Sequence, residues 1–200
     1  MLKLFDREAS GNCYKVRLFL SFLGVPYERI PVAMKDGKNV IDSSYLQMNP
    51  RGQIPTLQDG DVTLWGSTAI LCYIASRYDK SERWLPRDPR QFGQTMQWLE
   101  LAQNEILAGL ARARAFVRFG LAGDLPAVQQ LAMRALQVLE SRLGHEPWLV
   151  GAGPTIADIA CFPYVALASE GNVDASPYAG VQRWIARFKS LERFVGMPGL

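Results

Sequence analysis

Short apolar segments alternate with longer ones in the first part of the chain. Residues 2–5 predict a short apolar strand, whereas the apolar residues of 13–23 recur at helical spacing up to Gly24. A second strand is predicted over residues 27–32, and Asp42-Ser43-Ser44 has the composition of a cap for a short helix. The opening order is therefore strand, helix, strand, helix.

The next segment predicts a hairpin followed by a helix. Residues 56–58 and 62–64 flank Asp59-Gly60-Asp61, a turn sequence whose residues tolerate unusual backbone angles. Ser67 predicts the cap of an apolar helix over residues 69–78. Residues 1–78 thus predict an α/β domain with the order βαβαββα.

A different pattern begins after residue 78. Residues 79–89 are charged and contain two prolines, which predicts an exposed linker. Residues 90–200 predict an all-helical second domain without a convincing strand. Its amphipathic segments cover residues 90–120, residues 125–143, the stretch after Thr155, and residues 178–190.

Composition narrows the classes of function. Lysine and arginine number 22 against 19 aspartate and glutamate, and the net charge of +3 is too small to indicate nucleic acid or a membrane surface as a partner. No run of about 18 apolar residues occurs, and residues 1–6 meet charge before a signal peptide can form. We expect a soluble intracellular protein.

Cysteine and histidine content argues against metal chemistry. The three cysteines, Cys13, Cys72 and Cys161, are widely spaced, and the chain has a single histidine. This pattern fits neither a disulfide framework nor a zinc site. No metal is therefore expected.

Two features of the first domain suit a small peptide-like ligand. If Ile54-Pro55 is cis, the backbone of residue 54 is exposed to pair with a bound peptide, whereas the commoner alternative is a trans proline that starts a strand. The helix that begins at Ser67 offers a hydroxyl and free amides to a carboxylate. Because about a dozen residues of predicted hairpin separate the two features, both can face one ligand.

The loop between the first strand and the first helix carries the candidate chemistry. Ser10 can donate to a thiolate, which the helix start also stabilises, or it can be a helix cap without chemistry. Cys13 follows in a Ser-x-x-Cys pattern, so the first cysteine of a dithiol oxidoreductase is missing. A packed helical residue is the commoner role for such a cysteine.

Taken together, four motifs resemble the cytosolic glutathione transferase family over nearly the whole chain. The resemblance implies a thioredoxin-like fold for residues 1–78 and a helical second domain that supplies an acceptor site. It also implies that Asp158 is structural, as part of a helix-capping box. The motifs are Ser10-Gly-Asn-Cys-Tyr-Lys-Val, Asn49-Pro-x-Gly-Gln-Ile-Pro, Ser67-x-Ala-Ile and Thr155-Ile-Ala-Asp158.

The resemblance also implies a set of site residues. Ser10 takes the position of the catalytic serine of the serine-type classes and donates to the glutathione sulfur. Gln53 and Ile54 hold the cysteinyl backbone of glutathione, and Ser67 holds its γ-glutamyl carboxylate. Lys38 is the candidate for the glycyl carboxylate. Glutathione is then a co-substrate, and no cofactor is expected.

One position departs from the family pattern. The family commonly has an acidic or amide residue directly before this serine to bind the γ-glutamyl amine, and this chain has Gly66. Loss of a charge-assisted hydrogen bond, about 1.5 to 3 kcal/mol, weakens binding tens of times unless Glu105 or a partner subunit supplies an acid. Gly66 is also the residue that most favours a binding-only protein.

The resemblance implies an acceptor pocket along the first long helix of the second domain. Leu107, Ala111, Arg112 and Phe116 are its candidate lining. The arginines at 112, 114 and 118 indicate either an acidic or carbonyl-bearing acceptor or, as the commoner case, a solvated face.

The expected function is a glutathione transferase, in which the glutathione thiolate attacks a small electrophile to give a thioether or displace halide. The family implies a cytoplasmic homodimer whose small-molecule partners are glutathione and the electrophile. Two alternatives remain open. One is a glutathione-dependent thiol transferase or peroxidase that uses Cys13, and the other is a non-catalytic binding or interaction protein with the same fold.

Overall fold

The computed structural model describes residues 1–35, 38–39 and 42–200. Its main sheet has four strands in the order β2-β1-β5-β6, with β2 parallel to β1 and the other neighbours antiparallel. A separate pair of two-residue strands, β3 and β4, lies between β2 and the second helix. The strands are β1 (Leu2–Asp6), β2 (Tyr27–Pro31), β3 (Met34–Lys35), β4 (Lys38–Asn39), β5 (Thr56–Asp59) and β6 (Val62–Trp65).

Three helices accompany the sheet, and the remainder of the chain is helical. The predicted α/β domain followed by a helical part is confirmed, and the pair β3-β4 is an addition. The helices are α1 (Gly11–Leu23), α2 (Ser43–Met48), α3 (Ser67–Tyr78), α4 (Pro89–Gln103), α5 (Arg112–Phe119), α6 (Leu125–Leu143), α7 (Ile156–Ala166) and α8 (Ala179–Lys189), with a π-helical segment at Ile106–Ala111 and a 3₁₀ turn at Ala168–Gly171.

The single long helix predicted over residues 90–120 is wrong. Helix α4 ends before Asn104, whose backbone angles (φ −101°, ψ −93°) are not helical, and the π-helical segment and α5 follow. Gly109 of the π-helical segment lies so close to the backbone of Ala132 in α6 that a Cβ would stand 2.4 Å from its nitrogen. The amphipathic pattern continues through this break, so periodicity alone does not reveal it.

The prediction of an exposed linker is also wrong at its centre. Trp84 is 4% exposed and stacks on Phe22 of α1, with ring centroids 5.2 Å apart. The Asp79 carboxylate accepts a hydrogen bond from the Trp84 amide at 2.9 Å. The segment between α3 and α4 is therefore fastened to the first helix.

Helix α1 joins the sheet to the helical part of the molecule. It packs against both α3 and α7, which also contact each other. A Cβ on Gly11 would stand 2.6 Å from the ring of Tyr164 in α7, so the absence of a side chain there permits the close approach. Among the described residues, no helix is long and apolar enough to cross a membrane.

Candidate functional site

Ser10 is the cap of α1. Its backbone is extended (φ −81°, ψ 117°), and its Oγ accepts a hydrogen bond from the Cys13 amide at 3.3 Å. Because this contact uses an oxygen lone pair, the hydroxyl proton stays free to be donated. Ser10 is half-buried at the edge of the helix start. Capping and donation to a ligand sulfur are therefore compatible roles for this side chain.

Cys13 is a packed residue of α1. Its side chain is fully buried, and burial raises the pKa of the thiol to about 12, with the negative charge of Asp6 adding to the effect. A hydrogen bond between the Cys13 thiol and the Ser10 side chain opposes this rise in pKa without overcoming it. The thiol is thus protonated at neutral pH and out of reach of a disulfide substrate.

A buried polar network holds the peptide group before Ile54. The carbonyl of Gln53 accepts from the Tyr45 hydroxyl and from the Asn49 side-chain amide, both at 2.6 Å. The same two donors also contact the Thr56 hydroxyl, at 2.9 and 3.0 Å. This network fixes the carbonyl of Gln53 toward the protein interior.

The backbone of Ile54 faces away from that network. The carbonyl and the following amide of a trans peptide point to opposite sides, so an inward Gln53 carbonyl directs the Ile54 amide outward. Within the described ranges, neither the amide nor the carbonyl of Ile54 has a hydrogen-bond partner. The Ile54-Pro55 bond is cis. Both polar backbone groups of Ile54 are therefore available to an extended peptide.

Ser67 lies at the start of α3 but is not its cap, contrary to the sequence prediction. Gly66 occupies the cap position with φ +88°, and Ser67 is the first helical residue. The Ser67 hydroxyl donates to the Asn12 side-chain oxygen at 3.4 Å. This contact brings the starts of α1 and α3 together, so two helix N-termini with partial positive charge lie near Ser10.

The space beside Gly66 is open. Apart from Gly66 and its two chain neighbours, no atom of the described residues lies within 4 Å of the position that a Cβ would occupy there, although a positive φ disfavours any side chain. Glu105, the suggested substitute acid, is half-buried just before the π-helical segment. The side chain of Lys38 lies outside the described residues.

The predicted acceptor residues lie on two consecutive segments. Leu107 and Ala111 belong to the π-helical segment and pack partly against the core. Arg112 is exposed, and its guanidinium lies 5.2 Å from the centre of the Phe116 ring. Arg112 and Phe116 therefore form a cation–π pair.

The interpretation of the interleaved arginines as a solvated face is wrong for Arg114. Its side chain is 3% exposed, its Nε donates to Glu170 at 2.6 Å, and its Nη1 donates to the Ala9 carbonyl at 2.9 Å. Arg118 is 44% exposed and lies 3.3 Å from the same Glu170 carboxylate. Arg114 thus reaches from the helical part to the loop that carries Ser10.

Sequence reasoning missed several residues of this region. Asn12 directly follows the Ser10-Gly11 pair, and its position at a helix start was a usable signal. Tyr164 accepts from the Asn12 amide at 3.2 Å across 152 positions, and no local pattern announces that contact. Among the described residues, no three His, Cys, Asp or Glu side chains lie close enough together to hold a metal ion.

Comparison with known proteins gives one family for both parts of the chain. Residues 1–76 match the model "Glutathione S-transferase, N-terminal domain", and residues 96–194 match "Glutathione S-transferase, C-terminal domain". Glutathione S-transferase GstB of Escherichia coli K12 is 32% identical, over 92% of this chain and 91% of its own length. Disulfide-bond oxidoreductase YfcG of the same strain is 29% identical, over 90% of this chain and 86% of its own.

A solved structure gives the same result at the level of the fold. The crystal structure of a glutathione S-transferase from Pseudomonas fluorescens Pf-5 superimposes with a TM-score of 0.90 at 36% identity, covering 98% of each chain. Both halves of the sequence, and the fold of the whole chain, therefore match one family. The chain belongs to the glutathione S-transferase family.

Proposed function

We propose that this chain is a serine-type glutathione transferase. The observation that carries the proposal is the Ser10 hydroxyl, which accepts from the Cys13 amide through an oxygen lone pair and can therefore still donate its proton to a ligand sulfur. A hydrogen bond from Ser10 to the glutathione sulfur, together with the two nearby helix N-termini, favours the thiolate form of bound glutathione. The thiol proton passes to solvent. The sulfur lone pair then forms a bond to the electrophilic carbon, and a halide departs or the displaced electron pair is protonated.

The rest of the site binds and orients glutathione. The outward amide and the carbonyl of Ile54 pair with the cysteinyl backbone, and Gln53 supports them. Ser67 and the first amides of α3 hold the γ-glutamyl carboxylate. Lys38 is the candidate for the glycyl carboxylate. Gly66 leaves the γ-glutamyl amine without the side chain that the family commonly supplies.

The acceptor is a small electrophile bound on the helical part of the molecule. Its candidate contacts are the apolar Leu107, Ala111 and Phe116, with the exposed Arg112 as a cation next to Phe116. We propose residues 1–78 and 90–200 as the two domains, with residues 79–89 between them. A cytoplasmic homodimer that needs glutathione only as co-substrate stays a prediction from the family.

Replacement of Ser10 tests the proposal. Ser10→Ala removes one donor to the developing thiolate, so conjugation of a chlorinated nitrobenzene should fall at least about tenfold. Ser10→Thr, which keeps a hydroxyl, should retain more of the activity. Ser21→Ala is the matched control. The Ser21 hydroxyl lies outside the candidate site and donates to the Arg193 carbonyl at 2.8 Å. Unchanged turnover in Ser10→Ala would sink the serine assignment.

Glutathione-dependent disulfide reduction is a second candidate, favoured by the similarity to a disulfide-bond oxidoreductase. Burial of Cys13 and its raised pKa argue against a mixed disulfide on that residue. Reduction of a glutathione mixed disulfide is the assay. If Cys13→Ser abolishes the reaction while Ser10→Ala retains it, Cys13 is the working thiol and the transferase proposal is wrong for this substrate.

A non-catalytic binding role is tested by calorimetry. Titration with glutathione up to millimolar concentration, followed by a panel of electrophiles, separates the outcomes. Binding with turnover supports the transferase, and binding without turnover of any electrophile supports a binding protein. No binding at millimolar glutathione would favour an interaction module that keeps only the fold.

A further inference from the structure

Two side chains of the helical part hold the loop on either side of Ser10. Before Ser10, Arg114 of α5 donates from Nη1 to the Ala9 carbonyl at 2.9 Å. After Ser10, the hydroxyl of Tyr164 in α7 accepts from the Asn12 amide at 3.2 Å. The backbone around Ser10, the proposed hydrogen-bond donor to the thiolate, is therefore held at two points by the helical part of the molecule.

Arg114 is itself held firmly. Its side chain is 3% exposed, and its Nε forms a charge-assisted hydrogen bond of 2.6 Å with Glu170 on the 3₁₀ turn. A Cβ on Gly171 would stand 2.7 Å from the Arg114 amide, so the turn that carries Glu170 packs directly on α5. These contacts fix the guanidinium at both ends, between Glu170 and Ala9.

The arrangement is poorly explained by stability alone. Among the described residues, the buried Arg114 Nη2 has no hydrogen-bond partner, and an unpaired buried donor of this kind opposes folding. Apolar side chains of similar volume in place of both Arg114 and Glu170 would fill the same space without that penalty. What an apolar side chain cannot do is bind the Ala9 carbonyl and fix the peptide that leads into Ser10.

We propose that Arg114, braced by Glu170, is a positioning residue that sets the geometry of the Ser10 hydroxyl toward the sulfur of bound glutathione. The inference rests on the proposed transferase function. Arg114 acts through the Ala9 carbonyl and touches neither the sulfur nor the electrophile. The reactivity of the thiol is thereby controlled from the helical part, although the serine lies in the α/β part.

The pKa of the bound glutathione thiol is the decisive measurement, because a purely structural arginine would not change it in folded enzyme. We would follow thiolate absorbance of the glutathione complex against pH in Arg114→Met. We expect the pKa of the bound glutathione thiol to rise by at least about half a unit in Arg114→Met. At a pH below this pKa, the thiolate fraction then falls roughly threefold. The KM for glutathione should stay within about twofold, since Arg114 makes no contact with the peptide.

Glu170→Ala separates positioning from charge and keeps the test valid if Arg114→Met does not fold. Removing a negative charge lowers a nearby thiol pKa if Arg114 acts only through its field. If Glu170 braces Arg114, the thiol pKa rises instead, as in Arg114→Met. A fall or no change in a folded Glu170→Ala enzyme overturns the proposal.

A matched control is available in the same part of the chain. Arg142 also joins a carboxylate and a carbonyl, pairing with Glu146 at 3.7 Å and donating to Trp148 at 3.2 Å, without contact with the Ser10 loop. Arg142→Met should leave the thiol pKa unchanged, and an equal rise there would overturn the assignment to Arg114.

Ser10→Ala separates failure of this inference from failure of the proposed function. If Ser10→Ala leaves the thiol pKa unchanged, the serine assignment and the positioning inference both fail. If Ser10→Ala raises the pKa but Arg114→Met does not, only the positioning inference fails.

Discussion

At the scale of single residues, Lys15 is the clearest conflict between sequence and environment. Its side chain is fully buried, and within the described residues its ammonium has no hydrogen-bond partner. It lies 5.2 Å from the centre of the Tyr164 ring. Burial lowers the pKa of Lys15 from 10.5 to about 8, and the nearby Cys161 thiol only partly opposes this. The charged form is therefore disfavoured in the folded state.

This conflict predicts a pH-dependent gain from Lys15→Met. Below about pH 8, Lys15 is protonated in both the folded and the unfolded wild-type protein, so the folded state carries the full cost of a buried ammonium group. Lys15→Met should therefore be more stable than the wild type by about 1 to 3 kcal/mol at pH 7. Between pH 8 and 10.5 the unfolded state of the wild type binds more protons, so wild-type stability recovers with rising pH and the difference shrinks.

Urea unfolding of wild type and Lys15→Met at neutral pH and at about pH 10 measures both the stability difference and its decrease with rising pH. The exposed Lys189 supplies the control, because Lys189→Met should change the free energy of unfolding little at either pH. A Lys15→Met variant less stable than the wild type at neutral pH would show that the cation contributes net stability, through the Tyr164 ring.

Gly66 allows a direct test of the missing amine contact. Gly66→Glu should strengthen glutathione binding by up to about tenfold, because a carboxylate there can meet the γ-glutamyl amine in open space. The positive φ should lower stability by about 1 to 2 kcal/mol. Gly66→Ala carries the same backbone strain without the carboxylate. Equal dissociation constants for the two variants, measured by calorimetry, would contradict the prediction.

At the scale of elements, the start of α7 depends on one carboxylate. Buried Asp158 accepts from the amide of Thr155 at 2.9 Å, which completes the predicted capping box, and from the indole of Trp184 at 2.9 Å. Burial raises the pKa of Asp158 to about 6, although all its hydrogen bonds favour the charged form. The residue is structural, as predicted.

Removal of this carboxylate should be far more damaging than loss of an ordinary cap. Asp158→Ala removes the acceptor of four buried donors, so the free energy of unfolding should fall by about 3 to 5 kcal/mol. Asp88 caps α4 through the Gln91 amide at 3.0 Å but is exposed. Asp88→Ala should lower stability by only about 1 kcal/mol in the same denaturant titration. Similar losses of unfolding free energy in Asp158→Ala and Asp88→Ala would contradict this role of the buried Asp158 carboxylate.

Elements were predictable where a local pattern specifies them. The hairpin of β5 and β6 follows from its turn residues, and Asp42 caps α2 as its composition indicates. The two-residue strands β3 and β4 have no apolar alternation to reveal them. The break at Asn104 precedes a segment that packs closely on α6 at Gly109, and no local window contains that contact.

The candidate site divides in the same way. Ser10 and Ser67 were proposed from the chemistry of helix starts and Ile54 from the peptide before Pro55, and the family resemblance added Gln53. Arg114 was missed because its contact with Ala9 spans 105 positions, and an arginine on an amphipathic segment is usually solvated. Residues whose role is to join distant segments leave no local signal.

At the scale of the whole molecule, Trp84 links the two halves through a chain of rings. It packs against Phe19 and stacks on Phe22, whose ring in turn contacts Phe188 of α8 at 5.7 Å. Phe188 stacks on Phe162 of α7 at 4.3 Å. The aromatic chain therefore runs from Trp84 of the connecting segment, through Phe22 of α1, into the helical core.

Trp84→Ala should weaken this chain and destabilise both halves at once. Removal of a buried tryptophan lowers the free energy of unfolding by about 3 to 5 kcal/mol. Because α1 contacts both Trp84 and α7, we expect one cooperative transition at lower denaturant, with hydrogen exchange accelerated equally in α1 and α7. Phe92→Ala is the control, since that ring is 44% exposed on α4 and its loss should matter little.

The pattern of exchange decides what the connecting segment does. If exchange accelerates only in α1 and the α/β part unfolds first, residues 79–89 behave as the flexible linker that their composition predicts, and the two halves are independent folding units. Equal acceleration in α1 and α7 makes them one unit. In that case the Ser10 loop, held by Arg114 and Tyr164, keeps its geometry only while the helical part is folded.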